Sequence, residues 1–184
     1  MKQKRLDARE IFSIPNIMGY FRVVLIPVFC YLFFTAETDK DYLVAAGIVL
    51  VSTVTDFLDG LVARKCNMIT ELGKFIDPLA DKLTHAALAV CLAYRYPLML
   101  LIVGIMLIKE GFMAVMGIIK LKDGKKLDGA KWFGKICTAT LFLVMCILLL
   151  FPSMPIQIVN MLILFCAAVM VFTLIMYIPV FKKM

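Results

Sequence analysis

Six apolar runs of about twenty residues follow one another along this chain. Each is too long and unbroken to be a barrel strand with alternating faces. A helix of that length rises about 30 Å, the thickness of a bilayer core. Inside a bilayer every backbone N–H and C=O must be bonded within the protein, which leaves helices or closed barrels. The composition agrees: 63% of residues are hydrophobic and the mean hydropathy is +0.97. The sequence therefore predicts an all-α integral membrane protein, a single membrane domain over residues 1–184. Six transmembrane helices are expected near 14–35, 42–64, 74–93, 98–119, 132–151 and 156–180.

The links between these runs set the expected topology. The N-terminal segment, the 64–74 link, the 120–135 link and the C-terminal tail hold 4, 3, 6 and 2 Lys and Arg residues. The alternate links hold only Lys40 and Arg95. The positive-inside rule then places both termini in the cytoplasm. The net charge of +7 is explained by this asymmetry and by attraction to anionic headgroups, so no nucleic-acid partner is expected. The opening MKQKRLDAREIF reads as a short interfacial helix before an uncleaved first span. Six cysteines are scattered without metal or redox spacing and read as reduced, buried hydrophobes.

Against this background, four aspartates occupy two of the apolar runs. Asp56 and Asp59 are three residues apart on one span, and Asp77 and Asp81 are four apart on the next. Each spacing puts its pair on one helix face. A short link makes the two spans antiparallel neighbours, so both pairs are expected at similar depth. Asp56 precedes Arg64 by eight residues, about 12 Å along a helix. The cluster is thus expected in a cavity open to the cytosol, roughly a third of the way into the bilayer.

Carboxylates at that depth cost several kcal/mol unless neutralised. Lys82, Lys74 and Arg64 are the nearby cations on these two spans. Divalent cations neutralise four clustered anions more simply, and all-oxygen ligation suits Mg²⁺, Mn²⁺ or Ca²⁺. Two ions held this way could clamp the attacking and leaving oxygens of a phosphoryl-type displacement. The bland alternative is structural capping or pairing. Asp77 before Pro78 has the form of an N-cap with proline at the first helical position, which would account for one aspartate of the four. Gly60, Ala63 and Gly73 leave room for a planar group to approach the backbone, although close helix packing explains any one of them alone. Arg64 can bind a phosphate bidentately. Together the stretch describes a site for a nucleotide diphosphate at a membrane surface.

The pattern Asp56-x2-Asp59-Gly60-x2-Ala63-Arg64-x8-Gly73-x3-Asp77-x3-Asp81 resembles the signature of the CDP-alcohol phosphatidyltransferases, with eight positions at fixed offsets over 26 residues. Six spans are also as in that family, so the resemblance covers nearly the whole chain. The segments IPNIMGYFRVVLIP and ELGKFIDPLADK are similar to its bacterial phosphatidylglycerophosphate synthase branch. The resemblance implies phospholipid biosynthesis at the cytoplasmic membrane, with the active site facing the cytosol. It implies a CDP-diacylglycerol donor whose nucleotide lies against Asp59, Gly60, Ala63, Arg64 and Gly73. It implies two Mg²⁺ or Mn²⁺ ions on Asp56, Asp59, Asp77 and Asp81, with Asp81 as general base. It also implies an alcohol acceptor, with glycerol-3-phosphate expected, and a possible homodimer.

The acceptor side departs from that branch. Lys109 stands where an Arg is usual, and Gly117 occupies a second Arg position. Gly134-Lys135-Ile136-Cys137-Thr138 lacks one lysine of the branch's Gly-Lys-x-Lys-Thr, and Gly19 replaces a threonine. Lys109, Lys131 and Lys135 remain as candidates to hold the acceptor, with Asn16 and Arg22 resembling polar positions near the active site. Arg22 could instead snorkel or pair with an aspartate. A less charged acceptor, such as the phosphatidylglycerol used by cardiolipin synthases of this family, is the alternative. Lys109 and Glu110 are adjacent and so are expected on different faces. His85, four residues after Asp81, could orient it or be a satisfied core histidine. Membrane prenyltransferases also hold a diphosphate with aspartates, but their motifs lack Gly60-x2-Ala63-Arg64. A cation transporter would need a path across the bilayer, whereas these acids gather on one side.

Overall fold

The computed structural model describes residues 13–65, 72–122 and 131–183. The expected interfacial helix over 1–12 lies outside the described residues. Six helices occur among them: α1 (Ile14–Phe34), α2 (Asp39–Lys65), α3 (Gly73–Arg95), α4 (Met99–Lys122), α5 (Trp132–Leu150) and α6 (Ile156–Lys183). No strand occurs among the described residues. Every expected span corresponds to one helix, with boundaries displaced by up to three residues.

Five of the helices, all but α3, are long and apolar enough to cross a membrane. The reason for the exception is visible in its sequence. α3 carries Lys74, Asp77, Asp81 and Lys82 in its first ten residues, although its 23 residues would still rise about 35 Å. Its start also differs from expectation. Ile76 N–H donates to the Leu72 carbonyl at 2.9 Å, so the helix is already running before Asp77. Pro78 is therefore inside α3, and Asp77 is not its N-cap.

The chain forms two compact units, Met1–Leu88 and Ala89–Met184. In the first, α1 packs along α2, joined by a link short enough to make them antiparallel neighbours. α2 starts with a reciprocal cap: Thr38 N–H and Oγ1 each donate to Asp41 Oδ2 at 2.8 Å, and Asp41 N–H donates to Thr38 Oγ1 at 3.4 Å. Phe33 and Tyr42 meet edge to face at 5.3 Å and pack this closed end.

The buried stripe of α1 is Asn16, Gly19, Arg22, Leu25, Phe29 and Phe33, spaced by three or four residues as one helix face requires. Its first half is polar and its second half apolar. The buried positions of α2 are Ala45, Ala46, Val49, Ser52 and Asp59, apolar first and polar last. Antiparallel packing brings the two polar halves together. Ile76 and Ala80 of α3 are also buried.

In the second unit α6 packs against both α4 and α5. Phe133, Tyr177 and Phe181 form an aromatic cluster flanked by Phe112, Met113, Met116, Met176 and Val180. Gly134 allows a very close approach there: a Cβ on it would lie 2.2 Å from Tyr177 Oη. Arg95 Nη2 and Tyr96 Oη donate to the Pro152 carbonyl at 3.0 and 3.3 Å, tying two inter-helix turns together.

Candidate active site

The polar halves of α1, α2 and α3 meet around one side chain. Arg22 is 2% exposed and its guanidinium contacts all four aspartates. Nη1 donates to Asp56 Oδ1 and, at 3.0 Å, to Asp81 Oδ1. Nη2 donates to Asp77 Oδ1 at 3.1 Å and lies 3.0 Å from Asp59 Oδ2. The four acids thus converge as their spacing predicts.

They are not equally buried. The Asp59 side chain is 4% exposed, whereas Asp56, Asp77 and Asp81 are 45%, 41% and 50% exposed. Asp59 closes the bottom of the cluster and the other three face its open side. Asp59 Oδ2 and Arg22 Nε are buried without a hydrogen bond.

Gly19 shapes this arrangement. A Cβ there would be 2.8 Å from Ile76 Cγ2 and 3.5 Å from Asp77 Oδ1. Glycine therefore lets α1 lie against the start of α3. Arg22 is three residues further along the same face and is carried to the carboxylates by that approach. Thr55 and Thr84 donate their hydroxyls to the Val51 and Ala80 carbonyls of their own helices, so neither supplies a free hydroxyl to the acids.

The donor set suits hard divalent cations. It is all carboxylate oxygen. Fully ionised, four carboxylates against one guanidinium carry a formal −3. Buried charge left uncompensated is costly, so this cluster can accept further positive charge. Among the described residues no group of three or more His, Cys, Asp or Glu is placed so that it could hold a metal ion. The oxygens are spread around the guanidinium instead.

The other expected site residues fall as follows. Asn16 is fully buried on the Arg22 face of α1. Gly60 follows Asp59 in α2, and Gly73 is buried at the first residue of α3. The side chains of Ala63, Arg64 and Lys74 lie outside the described set. Lys109, Lys131 and Lys135 belong to the second unit. Lys109 Nζ donates to Glu110 Oε1 at 2.7 Å. Adjacent positions on a helix diverge at the backbone, but these two side chains are long enough to turn toward each other, so the expected separation onto different faces does not hold. Lys131 precedes α5 and Lys135 is exposed on its first turn. Cys137 is 1% exposed, which makes the position without its lysine a core position. Gly117 is exposed, with open space where a side chain would project.

Resemblance sets Arg22 on the acceptor side, with pairing to an aspartate as its alternative; the pairing holds, and with all four acids. A signal for its actual place was present. Arg22 continues the stripe of Leu25, Phe29 and Phe33, so it had to point inward.

A model of the CDP-alcohol phosphatidyltransferase family matches residues 12–178. A CDP-diacylglycerol–glycerol-3-phosphate 3-phosphatidyltransferase of Shigella flexneri serotype 5b is 33% identical over 162 residues, covering 86% of this chain and 88% of its own length. The enzyme of that name from Escherichia coli K12 is 32% identical over the same shares. With the acids, glycines and small residues of the signature in place on α2 and α3, this chain belongs to the CDP-alcohol phosphatidyltransferase family.

Proposed function

We propose that this enzyme transfers a phosphatidyl group from CDP-diacylglycerol to glycerol-3-phosphate, releasing CMP and forming phosphatidylglycerophosphate. The observation that carries the reading is the convergence of Asp56, Asp59, Asp77 and Asp81 on one point from two helices. The name shared by the relatives supports the choice of acceptor.

The acceptor hydroxyl oxygen forms a bond to the phosphorus that carries diacylglycerol. The bond from that phosphorus to the bridging oxygen breaks, and CMP leaves with its electron pair. Asp81, half-exposed on the open side, takes the hydroxyl proton. Gly60 and Gly73 leave space for the cytidine, with Ala63 and Arg64 completing that side by their place in the motif. Asp56, Asp59, Asp77 and Asp81 would hold two divalent cations, Mg²⁺ or Mn²⁺, which when bound offset charge on the diphosphate. Lys135, exposed at the start of α5, is assigned to the acceptor phosphate together with Lys131.

All six helices span the cytoplasmic membrane in this reading. α3 does so with its charged first half at the cytosolic end, and both termini are cytoplasmic. The chain is one functional domain.

The test is an acceptor panel with protein reconstituted in lipid. Phosphatidylglycerophosphate should form when glycerol-3-phosphate is supplied with CDP-diacylglycerol. Cardiolipin formed from phosphatidylglycerol, with nothing formed from glycerol-3-phosphate, would reassign the acceptor. No lipid product with any acceptor would overturn the reading.

A further inference from the structure

Arg22 is held by the same carboxylates that are assigned to the cations. Its Nη1 and Nη2 occupy oxygens of Asp56, Asp59, Asp77 and Asp81, all near 3 Å or closer. Mg²⁺ would sit about 2.1 Å from such oxygens. An oxygen lone pair aimed at a guanidinium N–H is not available to an ion. A guanidinium and divalent cations within a few ångströms of each other also repel strongly at low dielectric.

We propose that Arg22 is an exchangeable counter-ion of the acid site: it holds the four carboxylates together before the cations arrive, and it must withdraw from them for the site to load. The proposal rests on the metal reading given above. It makes Arg22 a positioning residue that sets the cation concentration at which the enzyme becomes competent.

Three observations carry it. The guanidinium reaches acids on both α2 and α3, so it gathers the pairs instead of neutralising one of them. The carboxylates are set around the guanidinium, and among the described residues no three acids are placed to hold an ion together while it is there. Arg22 Nε is buried without a hydrogen bond. A permanent structural ion pair at this depth would be expected to satisfy it. An arrangement that gives way to another ligand need not.

Gly19 supports the same device. Its missing side chain lets α1 close on Ile76, which brings the guanidinium within reach. The three half-exposed carboxylates leave the open side free for ions to enter while Arg22 is in place.

The test is Mn²⁺ binding to the full-length protein in detergent, read as loss of the free-ion electron paramagnetic resonance signal. The wild-type chain is compared with R22M and R22K. R22M should bind Mn²⁺ at least tenfold more tightly, and R22K should lie between the two. The melting temperature supplies a second readout. In chelator R22M should melt well below the wild type, and saturating Mn²⁺ should recover most of the difference. R22K, which keeps the charge, is the variant to rely on if R22M does not fold. Equal or weaker Mn²⁺ binding by R22M, or by R22K where R22M fails, overturns the proposal while leaving the metal reading intact. No Mn²⁺ binding by any of the three chains overturns both.

Discussion

Arg22 Nη1 lies 3.0 Å from Asp81 Oδ1, across 59 residues of chain. One half of that contact is 2% exposed and the other 50% exposed. The contact joins a buried guanidinium to a half-exposed carboxylate. The position of Asp81, the proposed base, is therefore tied to the packing of α1, a helix that contributes none of the signature aspartates.

Asp81→Asn should abolish transfer while largely sparing donor binding. The amide keeps the shape and some of the polar contacts but cannot take the acceptor proton. The loss expected from removing a general base is about 10² to 10⁴ in kcat. Retained binding of a CDP-lipid, measured by equilibrium titration, separates this from collapse of the site. Near-normal turnover by the variant would remove Asp81 from the role of base.

Gly19→Ala should destabilise the first unit by about 1–3 kcal/mol, the usual range for an overpacked contact. Its new Cβ would fall 2.8 Å from Ile76 Cγ2. Ile76→Ala removes that carbon, so the double variant should recover part of the loss. A thermal double-mutant cycle reads the coupling. Additive effects would show that α1 does not approach α3 here.

Gly134→Ala is a parallel case in the second unit, where the new Cβ would meet Tyr177 Oη at 2.2 Å. The expected loss is again about 1–3 kcal/mol. Tyr177→Phe deletes the hydroxyl and should rescue the variant in part, since the next ring atom would still be 3.2 Å away. Melting curves of the four chains decide it.

Lys135→Ala should raise KM for glycerol-3-phosphate several-fold and leave the melting temperature unchanged, because the side chain is exposed. Steady-state kinetics at saturating donor measure the effect. An unchanged KM would leave Lys135 as a charge that only helps to orient the chain in the membrane.

Much of this was legible from residue order. The helices follow from apolar run length, and the convergence of the acids follows from spacings of three and four residues on consecutive helices. What was not legible depends on contacts between segments far apart in sequence. Pro78 looked like a helix start because a proline after an aspartate often is one, yet bonding from Leu72 had already begun α3. Lys109 and Glu110 meet through side-chain length, which backbone periodicity does not see. Gly134 has the same local sequence whether or not Tyr177 lies over it. Arg22 falls between these cases: its helix face was readable, but its partners lie on two other helices.

The proposed reaction is phosphatidyl transfer from CDP-diacylglycerol at a cation-dependent acid site. CMP release by the purified enzyme tests it most directly. With CDP-diacylglycerol, glycerol-3-phosphate and Mn²⁺ or Mg²⁺, one CMP should appear for each phosphatidylglycerophosphate formed. Chelator should stop the release and added cation should restore it. Absence of CMP under these conditions would rule out the transfer, and release that continues undiminished in chelator would rule out its dependence on cations.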